Sequence, residues 1–428
     1  RRHFINLKLA LIFFMKTIIH FCFLALATIS YPAGALEQSH PQKRITNLPD
    51  RDKDSKFSYN GYISQGWSLS RPEHFNVSGQ SSNRAGSLAR TEIGAYGSYI
   101  LTLNVDLRGG LKYDPTGTFD RKPRVVFGLL DLHDSSSSYG VRFGRVRNFF
   151  GFQSSTRENP ATRILDYPPQ SIYRESFKTV SSSGDGIQLY VTSESSVGLL
   201  KAELTLAAPI LKPQRELVEG FFGYPAQGNY TTRTEAALRT VNLQWASKDF
   251  TWAAHYTISR LNLNYLPAAI DLVEGASSMD LTLHTVGLRR YLGDVRVTGE
   301  VLYVAPSGKV WDVLDQDPSA EKFQSLGAAL EVAVYKGNWV YAAGYNVWYN
   351  NIYDRKGNGL GHSLGLPAHR FYSHDINLGV QYTNDAWVWR AEVHRVQGTS
   401  TLPVTSNPSL PAERRHYMFV STSITYKF

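Results

Sequence analysis

Apolar and polar residues alternate with a period of two along most of this chain, and the end of the sequence shows the pattern clearly. In the stretch S-T-S-I-T-Y-K-F, Ile424, Tyr426 and Phe428 share one parity, while Thr425 and Lys427 share the other. Successive side chains of a β-strand point to opposite faces, so this period predicts a strand with one apolar and one polar face. Termini of soluble domains are usually polar and frayed, so an apolar face that runs to the last residue needs an explanation.

The same alternation recurs in sixteen segments of about ten to fourteen residues each. The composition agrees, because 25 Tyr, 21 Phe and 8 Trp make 13% of the chain aromatic, and aromatic residues favour strands. The strands are expected at residues 57–69, 88–99, 103–113, 123–132, 138–147, 183–193, 197–207, 235–246, 250–264, 278–290, 295–305, 325–336, 339–351, 371–383, 386–396 and 414–428.

Short and long connections alternate between these segments. Tight polar links near residues 134, 194, 248, 293, 337 and 384 alternate with long polar stretches, which places all the long loops at one end of the sheet. An even number of antiparallel strands with this loop pattern is typical of an outer-membrane β-barrel, whose apolar faces contact lipid. We therefore expect an all-β transmembrane barrel of about 16 strands, with short periplasmic turns and long extracellular loops. A soluble β-sandwich is the alternative, but it would have to bury about sixteen apolar faces between two sheets.

An apolar block near the start of the chain is typical of a secretory signal peptide. It runs from Met15 to Ala35, contains the charged Lys16, and ends in Ala-Gly-Ala, which predicts cleavage before Leu36. A transmembrane anchor is the alternative, but Lys16 interrupts the apolar stretch. Whether the fourteen residues before Met15 are translated stays open. The expected divisions are 1–35, upstream residues and signal peptide; 36–56, a flexible periplasmic arm; and 57–428, the barrel.

Cysteine content and charge exclude several classes of protein. The single cysteine, Cys22, lies inside the signal peptide, so the mature chain has no disulfide framework, cysteine zinc site or cysteine nucleophile. Without the signal region, 41 basic residues face 36 acidic ones. This excess is too small and dispersed to indicate nucleic-acid binding. No cofactor or metal is expected.

The combined features carry a resemblance to a known family. A signal peptide, sixteen alternating segments, the longest loop after the fifth strand, and the terminal Phe428 preceded by Tyr426 are similar to Gram-negative outer-membrane porins of the sixteen-stranded type. The stretch G-R-V-R-N-F-F-G-F-Q from Gly144 also resembles one in porin-like proteins of proteobacteria. The resemblance implies a homotrimer in outer-membrane lipid and lipopolysaccharide, with Phe428 read by the barrel-assembly machinery.

The resemblance also implies that the loop at about 148–182 folds into the lumen as a constriction. This loop lacks the acidic P-E-F-G-G type of motif found in the best-known general porins, so a cation preference is not implied. The loop would supply Arg157, Glu158, Arg163, Asp166, Arg174 and Glu175, with Arg145 and Arg147 at its base.

Charged residues on the polar faces of the strands would surround this loop. Those of polar parity include Arg90, Glu92, Asp106, Arg108, Arg142, Arg296, Glu300, Arg390, Glu392, His394 and Arg415. Arginines opposite a few carboxylates would create a transverse field that selects solutes by charge. The alternative is that some are fixed ion pairs or surface charges. The predicted pore-lining set is Arg90, Arg108, Arg142, Arg147, Arg157, Glu158, Arg163, Asp166, Arg174, Arg296, Arg390 and Arg415.

The expected function is passive diffusion of small hydrophilic solutes and ions, with a weak anion preference because arginine outnumbers Asp and Glu in this set. An enzyme is not expected: His255, His284 and His394 are assigned to polar faces, but no G-x-S-x-G, H-E-x-x-H or phosphate loop is present. Outer-membrane phospholipases and omptin-type proteases also use fewer strands. An adhesin or phage-interaction barrel that acts through its long loops is the alternative.

Overall fold

The computed structural model describes residues 56–71, 86–114, 123–154, 156–174, 177–209, 233–266, 277–309, 324–402 and 414–428. The predicted signal peptide, the periplasmic arm and most of the long loops lie outside these residues. The strands are β1 (Phe57–Arg71), β2 (Ser87–Thr102), β3 (Val105–Tyr113), β4 (Arg124–His133), β5 (Tyr139–Arg147), β6 (Ser183–Ser195), β7 (Gly198–Pro209), β8 (Arg233–Ala246), β9 (Trp252–Leu266), β10 (Ser277–Leu292), β11 (Val295–Lys309), β12 (Ser325–Lys336), β13 (Trp339–Tyr349), β14 (Tyr372–Asn384), β15 (Trp387–Gln397) and β16 (His416–Lys427).

These strands form a closed antiparallel barrel in which each strand pairs with its neighbours in the sequence. The barrel closes where β1 pairs with β16, in a register that places Tyr62 opposite Lys427 and Arg71 opposite Met418. Because the sheet is closed, it has no edge strand. Every strand forms backbone hydrogen bonds with a neighbour on each side, as a lipid environment requires. The predicted all-β barrel of about 16 strands is confirmed.

One rim of the barrel carries only short connections, and we call it the turn end; the opposite rim is the loop end. The turn-end connections are residues 103–104, 134–138, 196–197, 247–251, 293–294, 337–338 and 385–386. Gly293 and Gly337 adopt φ values of 57° and 58°, the left-handed conformation that two-residue hairpin turns require. The described helices are short: α1 (Lys178–Ser181), α2 (Asn358–Leu364) and 3-10 turns at Pro160–Thr162 and Ala368–Phe371. No helix in the described ranges is long and apolar enough to cross a membrane.

The outer face of the barrel is an apolar belt. On β6, Ile187, Leu189 and Val191 are exposed, whereas the intervening Gln188 and Tyr190 are buried. Such a belt fits the hydrocarbon of a bilayer.

Aromatic rings mark the turn-end margin of this belt. Tyr382 stacks on Trp389 at 5.5 Å, and Trp387 packs on Tyr426 at 4.9 Å between ring centroids. Stacked rings at this height form the girdle expected at a membrane interface. Tyr291 also lies near the turn end of β10, but its side chain points inward and is 6% exposed.

The inner face is polar along most strands, but β8 to β11 depart from this pattern near the loop end. There Leu238, Leu261, Leu263 and Leu283 point inward and are buried. His284 lies on the opposite face and bonds to the exposed Tyr256 hydroxyl, with 2.9 Å between Oη and Nδ1. The assignment of His284 to the lumen face was therefore wrong. Alternation shows which residues share a face but not which face is inside, and on this part of β10 the more polar face is the outer one.

Candidate pore and its inward-folded loop

The segment from residue 148 to residue 182 leaves β5 at the loop end and enters the barrel. It contacts two separate parts of the wall: the Tyr62 hydroxyl on β1 donates to the Glu158 carbonyl at 2.8 Å, and the Ser171 hydroxyl donates to the Ala328 carbonyl on β12 at 3.0 Å. We call this segment the inward loop. Glu175 lies outside the described residues.

Glu158 forms the first attachment of the inward loop to the wall. Its carboxylate accepts a hydrogen bond from Arg124 at 2.6 Å and lies 3.5 Å from the Lys112 ammonium group. Burial opposes ionisation of Glu158, but Arg124, Lys178 and Lys112 outweigh this effect and hold its pKa well below the ordinary value. Glu158 is therefore an ionised carboxylate held in place by cations of the barrel wall.

Asp166 forms the second attachment. Its carboxylate accepts hydrogen bonds from Arg90 at 2.6 Å, from Ser421 at 2.6 Å and from Ser423 at 2.8 Å. Burial again opposes ionisation, but the neighbouring Arg90 and Arg163 lower the pKa of Asp166. The backbone N–H of Asp166 also donates to Glu392 at 2.8 Å, so side chain and backbone are both held.

Glu300 on β11 holds the loop at a third point. The Tyr173 hydroxyl donates to it at 2.8 Å, and the Phe152 N–H donates at 2.8 Å. His255 approaches the same carboxylate at 3.1 Å from β9. Burial and the adjacent Glu300 charge raise the pKa of Tyr173 well above its usual value, so Tyr173 stays a donor. His255 thus serves as a structural contact of the loop.

An apolar cluster completes the attachment of the inward loop. Phe150, Ile172, Tyr173 and Phe177 of the loop pack on inward-facing apolar residues of β8 to β13, namely Leu238, Leu261, Leu263, Leu281, Leu283, Leu302, Val304, Ala329 and Trp348. This contact explains why the inner wall of β8 to β11 is apolar near the loop end: it is covered by protein and not by water.

Half of the twelve predicted pore-lining residues are buried in the inward loop or in its interface with the wall. Those buried there are Arg90, Arg157, Glu158, Arg163, Asp166 and Arg390, and Arg296 is buried against Glu331 lower on the wall. Arg147 and Arg174 lie over aromatic rings, Phe127 at 3.8 Å and Trp348 at 4.4 Å from guanidinium carbon to ring centroid. Arg415 is exposed just before β16, outside the strands.

Burial changes the acidity of Arg174, lowering its pKa to about 10, which still leaves it charged at neutral pH. Arg145, expected at the base of the loop, lies on the outer face and pairs with Asp185 at 2.8 Å. It shares its strand parity with Phe143, which is exposed on the same face. Arg145 therefore does not belong to the lumen.

Three cations that remain accessible from the lumen lie on the wall from β3 to β7. Arg108 pairs with Asp106, Arg142 with Asp131, and Lys201 with Glu203, at 2.9, 3.1 and 2.7 Å. The cation side chains are 28%, 17% and 32% exposed, whereas the carboxylates are 4%, 0% and 6% exposed. The three cations and the three carboxylates carry no net charge together, but a solute at this wall contacts the more exposed cations first. We call these three pairs the ladder.

Sequence reasoning missed three members of the ladder: Asp131, Lys201 and Glu203. Lys201 and Glu203 alternate with the exposed Leu200 and Leu204, so the parity argument could have found them. Asp131 was harder to place, because a register shift between β3 and β4 interrupts the alternation upstream of it.

No protein-family model matches this sequence, and no curated protein is similar to it at the level of sequence. Many solved structures resemble it in fold, and three of them serve as examples. The outer-membrane channel DcaP of Acinetobacter baumannii is 11% identical, with a TM-score of 0.53, and the match covers 87% of this chain and 97% of that one.

OmpF of Salmonella typhi, in complex with daunomycin, is 10% identical with a TM-score of 0.51, over 87% of this chain and 97% of that one. The trimer form of OmpT, an outer-membrane protein of Vibrio cholerae, is 10% identical with a TM-score of 0.51, over 87% and 99%. At this identity the likeness is one of fold. With its apolar belt and closed sheet, the chain is a sixteen-stranded β-barrel with the fold of outer-membrane porins and channels.

Proposed function

We propose that this barrel is a porin: a passive diffusion channel for small hydrophilic solutes and ions, with a weak preference for anions. The observation that carries the proposal is the ladder, where Arg108, Arg142 and Lys201 are more exposed than the carboxylates they pair with. Solutes would pass between this wall and the inward loop, which narrows the lumen from the opposite side. No enzymatic activity is proposed.

The preference is weak for a physical reason. Each cation of the ladder lies within 3.1 Å of a carboxylate, so the field falls off quickly with distance. At about 0.15 M salt, charges separated by more than about 8 Å are screened from one another. The anion preference should therefore increase as the salt concentration is lowered.

Planar-bilayer recording tests both parts of the proposal. Single-channel steps from the purified protein would support a pore, and the reversal potential in a salt gradient gives the preferred ion. If the folded barrel inserts into the bilayer but produces no conductance steps, the channel proposal is contradicted and an adhesin is favoured. Conductance with a cation preference would retain the pore and refute the anion preference.

We further propose that the protein assembles as a homotrimer and that the assembly machinery reads Phe428. The trimer form of the structurally similar OmpT supports the first part. Analytical ultracentrifugation of the folded protein in detergent tests it, and a single species with the mass of one chain would contradict it.

A further inference from the structure

Arg289 is an inward-facing arginine of β10 that lies outside the predicted pore-lining set. It shares the strand parity of the buried Leu283, whereas Leu288, on the other parity, is exposed on the outer face. Arg289 is three residues from the turn end of its strand, as each cation of the ladder is from the turn end of its own strand. A second part of the wall therefore carries a cation near the level of the ladder.

Two contacts fix the guanidinium group of Arg289. Its central carbon lies 4.3 Å from the centre of the Phe152 ring, which belongs to the inward loop. Its Nε donates to the hydroxyl of Thr298 at 3.3 Å, and Thr298 is its register partner on β11. A cation over an aromatic ring is attracted by the negative face of the ring. The guanidinium group is therefore held by a ring on one side and by a hydroxyl at Nε.

The wall is shaped to receive the Phe152 ring. The ring lies against Gly287, where an added Cβ atom would come within 2.9 Å of the ring carbon Cε2. The Phe152 N–H donates to Glu300 at 2.8 Å, and the His255 ring meets the Phe152 ring edge-on, with 4.5 Å between centroids. Since these contacts fix Phe152, they also fix the ring beside Arg289.

The terminal edge of the Arg289 guanidinium group is free. No carboxylate in the described ranges forms an ion pair with Arg289, whereas Arg296 on the same wall pairs with Glu331. Glu300 is already bonded to the inward loop and to β9. The two terminal nitrogens of Arg289 donate to no described residue and are not buried, so both are accessible from the lumen. Arg289 therefore offers the lumen two parallel N–H donors and a charge with no ion-pair partner among these residues.

We propose that Arg289 is a binding site for the carboxylate group of a solute in the lumen. The two oxygens of a carboxylate match the two parallel N–H donors of a guanidinium edge. Because Phe152 and Thr298 already hold the guanidinium group, little side-chain entropy is lost on binding. The cations of the ladder are engaged with their own carboxylates, so Arg289 binds a free carboxylate more tightly than they do. The role of the site in transport rests on the proposed channel, whereas binding itself does not.

The probe is acetate with an isotope label on its carboxylate carbon, titrated against the folded barrel in detergent. The NMR linewidth of the labelled carbon measures binding without any need for conduction. Arg289→Gln should weaken acetate binding by about fivefold or more, and Arg289→Lys, which keeps the charge but loses the parallel donors, by about threefold. Thr298→Val removes the acceptor of Nε at almost the same volume and should weaken binding about twofold.

Arg290→Gln is the matched control and should bind acetate as wild type does. Arg290 is the next residue of the strand and also lies over an aromatic ring, that of Trp252 at 4.5 Å, but on the outer face of the barrel. Heat-modifiable mobility confirms that each variant is folded before binding is compared.

Unchanged acetate binding by folded Arg289→Gln, or an equal loss in Arg290→Gln, overturns the proposal. Wild-type affinity in Arg289→Lys would show that a point charge suffices and would overturn the assignment to a carboxylate. The same holds if chloride displaces labelled acetate as well as formate does at equal concentration. Intact acetate binding by a barrel that gives no conductance steps would support the site and refute the proposed channel.

Discussion

Phe428 closes the barrel against Gly61. The Gly61 N–H donates to the Phe428 carbonyl at 2.8 Å, and the Phe428 N–H donates to the Gly61 carbonyl at 3.1 Å. The Phe428 ring covers the glycine so closely that a Cβ atom at position 61 would lie 2.5 Å from the Phe428 Cζ atom. The last residue of the sequence therefore supplies both a hydrogen-bonded pair of the closing seam and an aromatic ring of the outer girdle.

Deletion of Phe428 should reduce the yield of folded barrel several-fold, because it removes two hydrogen bonds of the seam and an interfacial aromatic side chain. Lys427→Ala is the matched control, since Lys427 lies next in the chain and leaves the Phe428 contacts in place. Heat-modifiable mobility of membrane fractions measures the folded fraction. Equal folded yields from the two proteins would refute the prediction.

Replacing Arg108, Arg142 and Lys201 together with Gln should shift the reversal potential toward cations. The substitutions remove the three accessible cations of the ladder and leave the carboxylates of Asp106, Asp131 and Glu203. Arg395→Gln, which removes an arginine from the outer face, should leave the reversal potential unchanged. A reversal potential that the triple substitution does not alter would show that solutes do not pass along this wall.

Asp166→Asn should loosen the inward loop, because Arg90 and Arg163 would lose the carboxylate that neutralises them. Removing one partner of a buried ion pair typically costs about 3–5 kcal/mol. We expect faster proteolysis within residues 148–182 and larger, noisier conductance steps. Asp185→Asn is the control, since Asp185 is an exposed carboxylate on the outer face. Wild-type protease resistance in Asp166→Asn would contradict this role.

The attachment of the inward loop should be stable from pH 7 to about pH 5 and weaken below about pH 4. The pKa values of Glu158 and Asp166 are lowered in the folded protein. Their ionised carboxylates therefore stabilise the attachment at pH values above about 4, the pKa of these side chains in an unfolded chain. That stabilisation is lost as pH falls toward the folded values.

Protease accessibility of the loop as a function of pH measures the transition. Release of the loop between pH 7 and 5 would contradict the assignment.

Cleavage before Leu36 is expected from the Ala-Gly-Ala sequence that precedes it. N-terminal sequencing of protein from outer-membrane fractions should find Leu36 or a close neighbour. A chain that retains Met15 would refute the cleavage.

The number of strands and the alternation of faces could be predicted from the sequence because both are local properties. On β1, Phe57, Tyr59 and Ile63 alternate with smaller or polar residues, and all three are exposed on the outer face. A period of two follows from the backbone of a single strand and needs no knowledge of its neighbours. The terminal strand, with Phe428 on the apolar face, follows in the same way.

The sequence did not determine which charges are accessible. Arg90, Arg296 and Arg390 have the expected inward parity, but ion pairs and contacts with the inward loop bury them. Parity cannot orient a loop residue, and it cannot reveal that residues distant in sequence, such as Asp166 and Ser421, meet in the lumen.

Tertiary structure also decided that the inner face of β8 to β10 is apolar near the loop end. His284 appeared to be a lumen residue because polar residues of a barrel usually face water, yet apolar residues of the inward loop cover the inner wall there. The period of each strand is set by its own backbone, whereas the environment of each face is set by what the fold places against it, and that depends on contacts across the whole barrel.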